Sequence, residues 1–85
     1  GSNTNGEALA MIMTKDYAGA KRVLAAVKNA DGYTAYLAAV AAARTNDAAA
    51  VAQNLKKAVS LDSSLKAKAQ KDLEFAKFQD AVKAL

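Results

Sequence analysis

The chain has 85 residues, no cysteine, no histidine and no proline, and a formal net charge of +4. It is long enough for one small domain. Without cysteine or histidine it has no disulfide framework, no thiolate or imidazole metal ligand, and no thiol or imidazole nucleophile, and the redox compartment stays open. Hydrophobic residues make up 53%, but 23 of them are alanine, which leaves 22 larger apolar side chains for a core and favours helix throughout.

Gly1-Ser2 reads as a cloning scar on a fragment of a longer chain, and residues 1–5 as a loose lead-in. Glu7 then opens a short apolar helix through Ala8, Leu9, Ile12 and Met13, ending near Thr14-Lys15. Asp16 has the position of an N-cap for a second helix whose apolar set is Tyr17, Ala20, Val23, Leu24 and Val27, with Lys28 near its end to suit the helix dipole. Asp31 caps a third helix, Gly32 to Arg44, that is almost entirely alanine apart from Tyr33, Tyr36, Leu37 and Val40. A turn at Thr45-Asn46-Asp47 leads into a fourth, Ala48 to Leu61, with Val51, Leu55, Ala58 and Val59 at helical spacing. Asp62 or Ser63 caps a fifth. Connections this short reverse the chain each time, so an all-α fold of stacked antiparallel hairpins follows: 6–30, 31–62, and a capping helix over 63–85.

An internal repeat agrees with this plan. A shift of 31 residues places Asp16 on Asp47, Ala20 on Val51, Leu24 on Leu55, Val27 on Ala58 and Leu9 on Val40. With Tyr36-Leu37-Ala38, Val40-Ala41, Asn46-Asp47, Val51, Leu55, Ala58-Val59 and Leu61-Asp62, the chain resembles the tetratricopeptide repeat family, and Lys15-Asp16-Tyr17 with Ala20, Leu24 and Val27 is similar to the same pattern once more. The family's tryptophan, turn glycine and exit proline are missing. The segment after Ser64 looks like the closing helix of tetratricopeptide proteins of the bacterial cell envelope, a resemblance that implies that compartment. It carries two apolar stripes: Leu65, Ala69, Leu73 and Ala76, to pack on the last hairpin, and Phe75, Phe78, Val82 and Leu85. The second stripe, at Phe78, Val82 and Leu85, is a candidate surface for weak self-association or for docking a further domain.

No cofactor is implied and no calcium-loop or zinc spacing occurs. The acids Asp16, Asp31, Asp47 and Asp62 fall at helix starts, where capping accounts for them, and Asp72, Glu74 and Asp80 alternate with lysines, so the chain is not expected to be an enzyme. Lys66, Lys68, Lys71, Lys77 and Lys83 do not share one helical face, which weakens a nucleic-acid reading, and no membrane insertion is expected. The resemblance implies instead a protein-interaction module, because the first helix of each tetratricopeptide hairpin lines a concave surface that takes a peptide or helix. Here that surface is Leu9, Ile12 and Met13 with Tyr33, Tyr36, Val40 and Arg44. The alternative is a purely structural closing end of a longer array, in which Tyr36 and Val40 are core.

Overall fold

Two aspartate-terminated turns set the fold, and they are built alike. In the computed structural model, which describes residues 3–85, helices α1 (Asn5–Met13) and α2 (Tyr17–Ala26) are joined at Thr14-Lys15-Asp16, and α3 (Gly32–Arg44) and α4 (Ala48–Leu61) at Thr45-Asn46-Asp47. At the first turn the Lys15 N–H donates to Ile12 O at 3.0 Å and the Asp16 N–H to Met11 O at 2.8 Å. At the second, Asn46 donates to Ala43 O at 3.2 Å and Asp47 to Ala42 O at 2.9 Å. Each pair closes the preceding helix by satisfying carbonyls that have no intrahelical partner, and each needs one residue in the left-handed region, Lys15 at φ 67° and Asn46 at φ 57°. The aspartate that follows turns its carboxylate onto the next helix: Asp16 accepts from Gly19 N at 2.9 Å and Asp47 from Ala50 N at 3.1 Å. The repeat of 31 residues therefore extends to the backbone hydrogen bonds.

Asp31 caps α3 through a reciprocal box, its carboxylate accepting from Thr34 N while the Thr34 hydroxyl accepts from Asp31 N, both at 3.0 Å. The Thr34 N–H, and the Thr34 hydroxyl donating to the same carboxylate oxygen at 3.0 Å, hold the Asp31 carboxyl below its ordinary pKa. Helix α3 is the axis of the molecule. Ten of its residues are buried, because α1 and α2 cover one side, α4 another, and the C-terminal segment a third. Alanine is what lets so many neighbours approach one helix: Ala39 and Ala41 are wholly enclosed, and larger side chains there would hold the helices apart.

Two helix boundaries differ from the sequence reading. Helix α1 begins at Asn5, before Glu7, because the Thr4 hydroxyl accepts from Glu7 N at 3.1 Å and so caps the first turn. Helix α2 stops at Ala26, so Lys28 lies in the turn beyond it and not in the last helical turn. The reading of Gly1-Ser2 falls outside the described residues.

The largest difference is at the C-terminus, where the expected capping helix over 63–85 is three short pieces: α5 (Leu65–Lys71), a 3-10 turn (Leu73–Phe75) and α6 (Gln79–Lys83). Asp72 breaks it. Its backbone is extended, at φ −85° and ψ 120°, and its carboxylate accepts from Glu74 N at 3.0 Å, starting the tighter turn. A straight helix can lay only one of its two stripes on the α3–α4 hairpin. The broken segment instead selects from both, burying Leu65 and Ala69 from the first and Phe75 and Val82 from the second. Phe75 is 0% exposed, whereas Leu73, read as a packing residue, is 87% exposed. Phe78 and Leu85 pack half-buried against the same core, so Phe78, Val82 and Leu85 are core-side residues and not the open row expected of an association surface. The fold is thus all-α, two stacked hairpins and a folded-back C-terminal segment, with a radius of gyration of 11.7 Å. No helix among the described residues is long and apolar enough to cross a membrane.

Candidate binding groove

Helices α1 and α3 pack against each other, and the 31-residue shift aligns Leu9 with Val40 and Met13 with Arg44. Between them and the C-terminal segment runs a groove of about 310 Å³. All six residues read from the sequence as partner-binding, Leu9, Met13, Tyr33, Tyr36, Val40 and Arg44, line it. They do not play equal parts. Tyr36 and Val40 are buried and form its floor with Ile12 and Leu37, while Leu9 at 37%, Tyr33 at 39% and Met13 at 76% exposure stand at its edge.

The second wall is one that sequence reasoning missed. Lys68 comes from α5, and Asp72 and Glu74 from the break that follows it. These acids are not the solvated, lysine-alternating charges the sequence suggested. Asp72 accepts the Tyr36 hydroxyl on its second oxygen at 2.5 Å, and Glu74 makes a two-pronged pair with Arg44, Nε to Oε1 at 2.7 Å and the terminal nitrogen to Oε2 at 2.5 Å. Arg44 also donates to the Tyr17 hydroxyl at 3.2 Å, so one guanidinium ties α2, α3 and the 3-10 turn together. The hydrogen bonds to Glu74 and Tyr17 raise its pKa and fix it in the charged form. Arg44 is therefore a structural tie at the end of the groove, not a free handle.

Tyr36 is the joint between core and groove. Its ring meets Phe75 edge to face, with centroids 5.6 Å apart and planes at 87°, and Lys68 Nζ lies 5.5 Å from its centroid on the groove side. Burial, and then the bond to the Asp72 carboxylate, push the phenol pKa up and keep it protonated as a donor. A buried tyrosine hydroxyl needs a partner. That rule was the one signal in the sequence pointing from Tyr36 to some acid downstream, but it could not choose among Asp62, Asp72, Glu74 and Asp80.

A second groove of about 310 Å³ lies between α2 and α4, above Ala35, Ala38 and Ala42 of α3. None of the exposed large apolar side chains lines it, whereas the α1–α3 groove has three of the five among the described residues. An opening whose apolar edge is exposed to water gains most from being covered, so the α1–α3 groove is the better candidate. Comparison with family models, with curated proteins and with solved structures found no match for this chain.

Proposed function

We propose that this chain is a non-catalytic scaffold module that binds a peptide or helix of another protein in the groove between α1, α3 and the C-terminal segment. The observation that carries the reading is the convergence of Leu9, Met13 and Tyr33, exposed and apolar, over a floor of Ile12, Tyr36, Leu37 and Val40. The floor is buried and tied to the second wall by the Tyr36–Asp72 bond, with Arg44–Glu74 closing one end, so an occupant meets a packed surface and its binding loses little to ordering the host. Exposed apolar side chains on a rigid helical surface are the usual anchors for helix-in-groove recognition. The duplicated turn and the shared register of α1 and α3 support a tetratricopeptide-like reading, in which this is the face that receives partners.

The reading is tested by nuclear magnetic resonance titration with a short leucine-rich amphipathic peptide. Shifts should concentrate at Leu9, Met13, Tyr33 and Val40, and Met13→Ser combined with Tyr33→Ser should weaken binding about ten-fold or more without unfolding the domain. Shifts confined to the α2–α4 side, or none at all, would sink it.

A further inference from the structure

The charged groups around the groove are unequally satisfied, and the inequality points to the chemistry of the occupant. Four such groups line it: Arg44, Lys68, Asp72 and Glu74. Arg44 and Glu74 neutralise each other. The Asp72 carboxylate accepts from the Tyr36 hydroxyl on one oxygen and from Glu74 N on the other. Lys68 alone has neither an ion pair nor a hydrogen bond among the described residues, and its ammonium is positioned only by the Tyr36 ring. An ammonium held beside an apolar groove, with three donors unused, favours an anionic group on whatever lies there.

We propose that the groove takes an acidic amphipathic segment of a partner protein, its apolar side chains covering Leu9, Met13 and Tyr33 and one of its carboxylates paired with Lys68. This rests on the binding reading given above and adds the sign of the partner's charge. The apolar part supplies most of the affinity, and the carboxylate sets the register, since only an acid placed beside the Tyr36 end of the groove can meet Lys68. The opposite end is closed to a second ion pair because Glu74 already occupies Arg44.

The test uses two synthetic helix-forming peptides with the same leucine positions, one with glutamate and one with lysine at every other site, titrated at low salt into the parent, Lys68→Glu and Lys66→Glu proteins. Lys66 is exposed on α5 and does not line the groove, so its reversal changes net charge equally without touching the site. The parent should bind the glutamate peptide about five- to ten-fold more tightly than the lysine peptide. Lys68→Glu should abolish or invert that preference, and Lys66→Glu should retain it. Equal binding of both peptides in the groove, or equal effects of the two reversals, overturns the assignment of Lys68 and leaves the groove reading standing. Absence of groove shifts with either peptide overturns both.

Discussion

The α1–α2 and α3–α4 hairpins close with the same turn, carry the same aspartate cap and repeat the same register, yet α3 has ten buried residues and α1 only Ala8 and Ile12. Their local chemistry is equivalent, because the closing hydrogen bonds and the aspartate cap of Thr14-Lys15-Asp16 recur at Thr45-Asn46-Asp47. What separates them is place in the stack. Helix α3 is covered by α1, α2, α4 and the C-terminal segment, whereas α1 packs mainly on α2 and α3. A turn motif can thus be copied without copying the burial of its helices, and the less covered α1 supplies two of the three exposed apolar side chains at the groove, Leu9 and Met13, against Tyr33 from α3.

The comparison breaks most sharply at the cover of the central hairpin. Phe75→Ala should cost about 3 to 5 kcal/mol, enough to unfold so small a domain. Leu73→Ala, two residues earlier, should stay within about 0.5 kcal/mol. Thermal unfolding followed by circular dichroism separates these two, and equal costs would mean that the C-terminal segment is one regular helix after all.

The two buried glycines give a smaller contrast. A Cβ on Gly32 would come within 2.8 Å of Asp62 Cβ and 3.1 Å of the Ala58 carbonyl, where α3 enters against the end of α4, so Gly32→Ala should cost about 1 to 3 kcal/mol in urea unfolding. A Cβ on Gly19 would come within 2.3 Å of the Asp16 carboxylate, the end of a side chain that can shift, and the equivalent residue of the second hairpin is Ala50, whose N–H bonds Asp47 despite its methyl group. Gly19→Ala should therefore be neutral or stabilising by up to about 1 kcal/mol.

The turns themselves can be exchanged. Lys15 and Asn46 occupy the same left-handed position, which asparagine tolerates better than lysine. Lys15→Asn should raise stability by about 0.5 to 1 kcal/mol and Asn46→Lys should lower it by a similar amount. Changes of the same sign for both would show that the two turns are not equivalent.

The smallest effect is electrostatic and belongs to the junction of the hairpins. Folding lowers the Asp31 pKa from its ordinary 3.8, so its contribution is present above that pH and is lost as pH falls through the lower folded value. Melting temperatures measured downward from about pH 5 should fall less steeply for Asp31→Asn than for the parent. An unchanged slope would assign the acid sensitivity to other carboxylates.

The first four helices and the aspartate caps of α2, α3 and α4 were legible because they rest on contacts a few residues apart, whereas α5 has Ser64 at its N-cap and no side-chain cap from Asp62 or Ser63. Aspartate three positions before the N–H that donates to it, alanine and leucine at helical spacing, and a repeated turn are properties of a window, and the structure places Asp16, Asp31 and Asp47 as those windows require. The six groove residues were legible for the same reason, since one face of α1 collects Leu9 and Met13 and one face of α3 collects Tyr33, Tyr36, Val40 and Arg44. Their division into floor and edge was not, because it depends on how many neighbours each helix has.

Local spacing along the chain is enough for the all-helical fold, the hairpin register and the faces of α1 and α3 that share a groove. Packing between distant segments settles where the last helix breaks, that Phe75 enters the core while Leu73 stays in water, and that Asp72 and Glu74 answer Tyr36 and Arg44. Those outcomes depend on groups 36 and 30 residues apart in the chain. Local periodicity leaves two stripes open on the final segment. The competition between them is resolved only when the α3–α4 hairpin and the buried Tyr36 hydroxyl present one surface and one donor to be satisfied.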